Sequence, residues 1–200
     1  MLAGNLFKVL IVAYFLGSIP FGYYMGKFFG VDVRKQGSGN IGFTNVWRLV
    51  GPFPALIVLF FDAGKGWLSV YFGYITGGEK LALVGAFFSI IGHFFPIFLK
   101  FKGGKGVATG FGICLFIDPV MTGIALVMFL IVVYLTRYIS AGSITAAIAV
   151  TVLSIIFNLN IYYKVFIISA SIAVIFMHRE NIKRIINGKE NKIGKKEVVK

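Results

Sequence analysis

Two apolar segments follow each other in the middle of the chain: PFPALIVLFFDAGKGWLSVYFGYI at residues 52–75 and LALVGAFFSIIGHFFPIF at residues 81–98, separated by TGGEK. Each has the length of roughly 17–25 residues that a transmembrane helix requires. Asp62 and Lys65 are the only Asp, Glu, Lys or Arg residues in either segment. The pair therefore predicts two helices that lie in a membrane.

The rest of the chain has the same character. Of its 200 residues 58% are hydrophobic and 14% are charged, and the mean hydropathy is +0.89. These values exclude a water-soluble surface and a disordered chain, and the single Cys114 excludes an intramolecular disulfide. Apolar runs between charged, glycine or proline breaks predict about seven transmembrane helices, at residues 6–29, 52–75, 81–98, 107–117, 120–136, 143–157 and 163–177, the first kinked at Pro20.

The predicted fold is an all-α, polytopic membrane protein, with residues 1–200 as one integral-membrane domain and residues 178–200 as its basic tail. The chain has 20 Lys and Arg residues against 7 acidic ones, a net charge of +13. With an odd number of spans most of these cations fall on one face, whereas Lys8, Lys80 and Lys164 fall on the other. The positive-inside rule then predicts an outside N-terminus and a cytoplasmic tail, and five or nine spans would give the same sides.

The first polar cluster is GSGNIGFTNVWR at residues 37–48, in a predicted cytoplasmic loop. Glycines let backbone N–H groups converge on an anion, hydroxyl and amide side chains add donors, and a guanidinium can bind two phosphate oxygens. A plain turn is the alternative, but it needs only one or two glycines and no particular donors. The pattern favours an anion site, with candidates Gly37, Ser38, Gly39, Asn40, Thr44, Asn45 and Arg48.

The second cluster, FKGGKGVAT at residues 101–109, places glycines and lysines before a short span that rises about 16 Å as a helix. A helix N-terminus, glycine amides and ammonium groups together make a phosphate cradle. The order G-x-x-x-x-G-K-[ST] is absent, so nucleotide hydrolysis is not indicated. Positive-inside charge would explain the lysines but not the glycines. The candidates are Lys102, Gly103, Gly104, Lys105 and Gly106.

The third cluster, HRENIKRIING at residues 178–188, opens the tail. Its isoleucines fall at helical spacing, which predicts an amphipathic helix that continues the last span or lies on the membrane surface. His178 can accept a proton near neutral pH, and Asn181 on the same face can orient a hydroxyl. Lipid phosphates explain the neighbouring cations equally well. Ser143, near the start of a predicted span, is a further substrate-binding candidate, with a helix cap as the alternative.

Asp62 and Lys65 lie three residues apart inside a predicted span. Ionisable residues are costly in a bilayer and are functional candidates by default, although a neutralising pair is the alternative. With two His, one Cys and no ordered acidic cluster, no metal site is expected, and no cofactor is indicated.

In order and spacing, the three clusters resemble the three cytoplasmic motifs of the bacterial integral-membrane acyl-phosphate:glycerol-3-phosphate acyltransferases. The resemblance covers nearly the whole chain and includes GSIPFG at residues 17–22 and DAGKG at residues 62–66. Phe43 departs from it, since the family usually has alanine there. The resemblance implies transfer of a fatty acyl group from acyl phosphate to the 1-hydroxyl of glycerol 3-phosphate, forming lysophosphatidic acid and phosphate in phospholipid biosynthesis.

The resemblance also implies roles for individual residues. Ser38 and Arg48 would be essential, the glycines around Lys105 would bind glycerol 3-phosphate, and His178 and Asn181 would support activity. Glu190 would contribute at most to structure. Because an acyl phosphate has a good leaving group, direct transfer is expected, with His178 or a substrate phosphate oxygen accepting the proton. A covalent Ser38 intermediate is a less favoured alternative.

The expected partners are acyl phosphate, glycerol 3-phosphate and membrane lipid, with no nucleic acid, and the oligomeric state is left open. The expected location is the bacterial inner membrane, with the active site on the cytoplasmic side. A transporter or flippase for a phosphorylated compound would use the same basic entrance, although no duplicated half is recognisable. A scaffold without chemistry would tolerate alanine at Ser38 or His178.

Overall fold

The computed structural model describes residues 2–193, which are helical and contain no strand. The all-α prediction is confirmed for this part of the chain. The described residues pack as two compact units, which divide after Phe116. The helices are α1 Leu2–Ser18, α2 Phe21–Phe28, α3 Phe43–Leu49, α4 Pro52–Phe94, α5 Val107–Ile117, α6 Pro119–Thr136, α7 Ile139–Ile156, α8 Ile161–Met177 and α9 Arg179–Ile186, with a 3-10 turn at Ile97–Leu99.

Each segment predicted as a membrane helix is mostly helical, but the segment 6–29 is broken between Ser18 and Phe21, and the α-helix of the segment 81–98 ends at Phe94. Helix α7 begins at Ile139 rather than at Ser143, because Ser140 and Gly142 continue the helix although they are not apolar. The helical stretches that are long and apolar enough to span a membrane are Ala3–Phe28, Pro52–Leu99, Pro119–Thr136 and Ile139–Ile156, and the bent pair α8 and α9 would add a fifth. The number of spans and the side of each terminus remain predictions.

Helix α4 is a hairpin whose two halves are joined at Gly77 and Gly78. Gly78 has φ 70° and ψ −159°, a conformation that glycine adopts without steric cost. On a straight helix Ser69 and Gly85 would be about 24 Å apart. Instead, a Cβ on Gly85 would collide with the carbonyl oxygen of Ser69. The two halves therefore pack closely against each other at a residue that has no side chain.

In the first unit, α1 and α2 are separate helices because Pro20 has no N–H to continue the first one. Helix α1 packs along α4, and α2 and α3 pack on α4 as well. The loop at residues 29–42 joins α2 to α3 and covers a small apolar core. That core consists of Val33, Ile41, Val46, Ala55, Val58 and Leu99.

In the second unit, α6, α7 and α8 pack in chain order. Asp118 caps α6 by accepting the Met121 N–H at 2.8 Å, and Asn160 caps α8 by accepting the Tyr162 N–H at 3.0 Å. Helix α9 bends away from α8 by 55°. The amphipathic helix predicted at the start of the tail is therefore present, and it does not continue the last span in a straight line.

The outer faces of the helices are apolar. Only 17% of α6 is buried within the protein, and its exposed side chains include Val127, Ile131 and Leu135. A soluble protein rarely exposes a continuous apolar surface of this kind. This surface is the one expected of helices surrounded by lipid.

Candidate active site

The loop before α3 is held in shape by the side chain of Asn45, which is 1% exposed. Its Oδ1 accepts the Ser38 N–H at 2.9 Å, and its Nδ2 donates to the carbonyls of Val33 at 2.8 Å and Gln36 at 3.2 Å. One carboxamide therefore satisfies three backbone groups of this loop. Ser38 remains exposed while its backbone is fixed.

Glycines flank Ser38 on both sides. Gly37 and Gly39 have φ values of 59° and 71°, which residues with a Cβ rarely adopt. Asn40 Oδ1 then accepts the Gly42 N–H at 3.0 Å, a side-chain turn that leads the chain into α3. The loop thus presents Ser38 at a sharp reversal whose conformation is set by these neighbours.

The remaining candidates of the first cluster lie on α3. Thr44 is in its first turn and Arg48 in its last, and both are half-buried. A cation in the last turn of a helix is favoured by the helix dipole. Residues 37–48 therefore form one continuous segment of loop and helix that carries every candidate of the first cluster.

A second arginine in this loop already has a carboxylate partner. Arg34 donates to both oxygens of Asp32, at 2.9 and 2.8 Å, and its guanidinium lies 4.4 Å from the centre of the Tyr23 ring. The hydrogen bond from Arg34 holds the pKa of Asp32 well below its usual range. The loop therefore gains little net positive charge from Arg34.

The second glycine loop uses two of its N–H groups to attach to the end of α4. The N–H of Gly103 donates to the Phe94 carbonyl and that of Gly104 to the His93 carbonyl, each at 3.1 Å. Gly106, with φ 78°, then turns the chain into α5. A phosphate cradle here would draw on the amides at the start of α5, which have no partner within the helix, and on the lysines. Lys102 is exposed and Lys105 is half-buried.

The first loop packs against the chain segment that leads into the second loop. Leu99, which comes shortly before the second loop, packs in the apolar core that includes Val33 and Ile41 of the first loop. The start of the second loop is therefore anchored in the same apolar core as the first loop, and a common phosphate site remains a prediction.

In the second unit, the carboxylate of Glu190 accepts hydrogen bonds from two helices. Ser140 on α7 and Asn181 on α9 donate to Oε1 at 2.8 and 2.7 Å, and Arg184 Nε donates to Oε2 at 2.7 Å. Burial raises the pKa of Glu190, but the hydrogen bonds from Asn181, Arg184 and Ser140, together with the Arg184 charge, lower it below its ordinary value. An ionised carboxylate therefore fixes α9 to the start of α7.

His178 lies at the bend between α8 and α9 and is 3% exposed. Its Nδ1 is 2.7 Å from the Val174 carbonyl oxygen. Because a carbonyl can only accept, Nδ1 carries a proton, and in the neutral ring Nε2 is then the nitrogen with the lone pair. This tautomer fits the role of proton acceptor that the sequence predicts for His178.

Ser143 is buried in the second turn of α7, and its hydroxyl donates to the Ile139 carbonyl at 2.9 Å. It is therefore not a helix cap, and contact with substrate remains a prediction. Ser140, one turn earlier, is the residue that sequence reasoning missed. Nothing in the sequence links positions 140 and 190, and Glu190 itself was indicated only by the family resemblance.

Comparison with known proteins agrees with the family resemblance of the three polar clusters. The sequence profile of a family described as glycerol-3-phosphate acyltransferase matches residues 7–188, which include all three polar clusters. A protein of that name from Carboxydothermus hydrogenoformans is 45% identical over 92% of this chain and 94% of its own length. Another, from Thermus thermophilus, is 43% identical over 94% of each chain.

Two crystal structures of PlsY (YgiH), described as an integral membrane glycerol 3-phosphate acyltransferase, share the fold at 34% sequence identity. The glycerol 3-phosphate form has a TM-score of 0.91 and covers 94% of this chain and 96% of that one. The lysophosphatidic acid form has a TM-score of 0.89, with coverage of 94% and 95%.

Proposed function

This chain belongs to the glycerol-3-phosphate acyltransferase family, whose profile matches residues 7–188, and we propose that it transfers a fatty acyl group from acyl phosphate to glycerol 3-phosphate. The chain is an acyltransferase of the membrane. The choice of glycerol 3-phosphate as the acyl acceptor rests on the likeness to a structure in its glycerol 3-phosphate form, which covers 94% of this chain and 96% of that one. The proposed products are lysophosphatidic acid and inorganic phosphate, and the likeness to the lysophosphatidic acid form supports the first of them.

The proposed reaction is a direct displacement at the acyl carbon. The 1-hydroxyl oxygen of glycerol 3-phosphate attacks the acyl carbonyl carbon, and a new ester C–O bond forms. The bond between that carbon and the phosphate oxygen breaks, and phosphate leaves with the electron pair. The hydroxyl proton passes to His178 Nε2 or to a substrate phosphate oxygen.

Each substrate carries a phosphate, and the first unit has two loops suited to anions. In this proposal Arg48, the exposed Ser38 and the neighbouring loop amides orient the acyl phosphate, and Ser38 orients its phosphate or donates to the developing oxyanion. Lys105 and the glycine loop before α5 hold glycerol 3-phosphate. The packing of Leu99, shortly before the second loop, in the same core as Val33 and Ile41 of the first loop supports this division.

Asn181 and His178 act from the second unit in this proposal. The Glu190 carboxylate holds the Asn181 amide at 2.7 Å, so the side chain is oriented before substrate binds. The Nδ1–H of His178 is likewise held by the Val174 carbonyl. The proposed catalytic domain is the one predicted over residues 1–200.

Acyl phosphate is proposed as the donor because of the family resemblance, and the shortage of thiol nucleophiles agrees with a direct transfer. Cys114 is the single cysteine of the sequence, and it is buried in α5. A reactive donor such as the mixed anhydride of an acyl phosphate needs no acyl-enzyme. The proposed location is the bacterial inner membrane, with the glycine loops on the cytoplasmic side, where the positive-inside rule places their cations.

The test is acyl transfer by purified protein in lipid. Palmitoyl phosphate and labelled glycerol 3-phosphate should yield labelled lysophosphatidic acid, and palmitoyl-CoA in place of palmitoyl phosphate should yield little. Ser38→Ala should lose most of the activity. Ser169→Ala is the control, because Ser169 is exposed and bonds only carbonyls of its own helix among the contacts described here.

Three outcomes would contradict the proposal in different ways. Product from palmitoyl-CoA alone would overturn the donor. Labelled acyl group trapped on Ser38 would overturn direct transfer in favour of a covalent intermediate. Uptake of unchanged glycerol 3-phosphate into sealed vesicles, without any product, would replace the enzyme by a transporter.

A further inference from the structure

A group of ionisable side chains lies buried in the first unit. Asp62 and Lys65, on the first half of α4, form an ion pair with Lys65 Nζ 2.6 Å from Asp62 Oδ1. His93, at the end of the second half, places Nδ1 3.9 Å from the same oxygen. All three residues are 3–4% exposed. Ionisable groups inside membrane helices are expensive and commonly mark function.

Lys65 is connected to the first loop through the break between α1 and α2. Its Nζ donates to the Ile19 carbonyl oxygen, at the break, at 2.8 Å. Helix α2 leads into the loop that contains Ser38, and Gly22 of α2 also packs directly on the backbone carbonyl of Ile41 in that loop. The ammonium group therefore helps to fix the point from which α2 and its loop extend.

His93 contacts the second loop directly. Its backbone carbonyl accepts the Gly104 N–H at 3.1 Å, and its ring occupies the space that a Cβ on Gly104 would enter. Its Nδ1 lies 3.0 Å from the Thr109 hydroxyl of α5. One side chain thus touches both the glycine loop and the helix that follows it.

We propose that Asp62, Lys65 and His93 are positioning residues that hold the two loops in a fixed relation for acyl transfer. Asp62 is the shared member, since it pairs with Lys65 and faces His93. The inference rests on the proposed function, because the relation between the loops matters when both bind substrate. If Asp62 and Lys65 merely neutralised each other, replacing both by apolar residues would have no effect on substrate binding.

Removing both charges together separates positioning from stability. Loss of one partner of a buried ion pair leaves an unpaired charge and destabilises the fold. Replacement of both partners by apolar residues often leaves the stability unchanged or raises it. We expect Lys65→Met alone to lower the Tm, and Asp62→Leu with Lys65→Met to return it towards the wild-type value. The double variant should nevertheless lose kcat/KM by up to about a hundredfold, because displaced loops misalign the reacting groups.

The KM values for the two substrates identify the role of the ion pair. The double variant should show a raised KM for both palmitoyl phosphate and glycerol 3-phosphate, since it releases both loops. A double variant with the wild-type Tm and the wild-type KM for both substrates would overturn the proposal.

Variants of His93 decide the matter if the double variant does not fold. His93→Asn keeps an amide near the position of Nδ1 that can bond Thr109, whereas His93→Leu does not. We expect His93→Leu to raise the KM for glycerol 3-phosphate more than that for palmitoyl phosphate, and His93→Asn to restore part of the loss. Equal KM values for the wild type and both variants would overturn the proposal.

Ser89→Ala is the matched control for these variants. Ser89 is buried one helical turn before His93, and its hydroxyl has no hydrogen-bond partner within residues 2–193. Its removal should leave both KM values unchanged. Product formation by the wild type tests the proposed function separately: its absence would overturn both proposals, whereas product with unchanged KM values in the variants overturns only the positioning role.

Discussion

At the scale of single residues, two polar side chains do most of the shaping around the candidate site. Asn45 ties three backbone groups of the first loop together, and Glu190 ties three side chains of the second unit. In each case one buried group bonds several partners, so its loss removes a hydrogen bond from each of them. Both residues are therefore expected to act through the shape of the site.

Replacing Asn45 by Ala should unfold the first loop locally. The change removes the side-chain partner of the Val33 carbonyl and the Ser38 N–H, at about 1–3 kcal/mol for a buried group left unsatisfied, whereas the Gln36 carbonyl keeps the Gly39 N–H. We expect a lower Tm in detergent and a large loss of acyl transfer. Asn5→Ala, which removes one bond to the Thr76 carbonyl at 3.4 Å, is the control. Full activity of Asn45→Ala would show that the loop holds its shape without the carboxamide.

Glu190 should give the protein a component of stability that depends on pH. Its folded-state pKa is lowered below the ordinary 4.5, so its contribution is fully present above pH 4.5 and is lost as the pH falls through the lowered folded value. Glu190→Gln should therefore have a lower Tm than the wild type at pH 7, and the difference should shrink towards pH 3. Thermal unfolding across this range measures it, and a difference that does not change with pH would contradict the expectation.

At the scale of elements, the sequence predicted the helices well and their joints less well. Hydropathy locates apolar segments because each must match the bilayer, and Pro20 marks a break because it lacks an N–H. The start of α7 was missed, since Ser140 and Gly142 are tolerated in a helix without being apolar. The contact between Ser140 and Glu190 was beyond prediction, because it depends on how α7 and α9 pack.

The hairpin of α4 should be intolerant of side chains at its glycine contacts. Gly85→Ala places a Cβ against the Ser69 carbonyl oxygen, and overpacking of this kind costs about 1–3 kcal/mol. We expect a lower Tm. Gly64→Ala is the control on the same helix, since a Cβ there meets nothing within 4 Å and alanine favours the helix. Equal Tm values for the two variants would argue against close packing of the halves.

At the scale of the whole molecule, the composition and the apolar segments predicted an all-helical membrane protein. The structure of the described residues and the similar solved structures agree with this prediction. The three clusters were located as motifs, because glycines, donors and cations were concentrated in short segments. The packing of Leu99, shortly before the second cluster, in one core with Val33 and Ile41 could not be predicted, since residues 33 and 99 are distant in sequence. The sidedness of the chain remains a prediction from its charges.

That sidedness can be measured by labelling of introduced cysteines. In a Cys114→Ser background, Lys80→Cys should react with a membrane-impermeant maleimide in intact spheroplasts, because the positive-inside rule places this turn outside. Lys189→Cys should react only after permeabilisation. The reverse pattern would invert the proposed topology and move the glycine loops to the outer face.

The tight turn at Gly77 and Gly78 also bears on how the protein enters the bilayer during synthesis. The segment ending at Thr76 emerges with Asp62 and Lys65, each of which costs about 2.5–3.5 kcal/mol at the centre of an isolated inserting helix. The reversal brings the next apolar stretch back along the first, and this stretch reaches Asp62 when the chain has been translated as far as His93, which faces it in the folded hairpin. We therefore expect the two stretches to enter the bilayer as a pair, in which the second stretch begins to cover the ionisable groups of the first and the later packing of α5 beside Ala63 and Gly66 completes the cover.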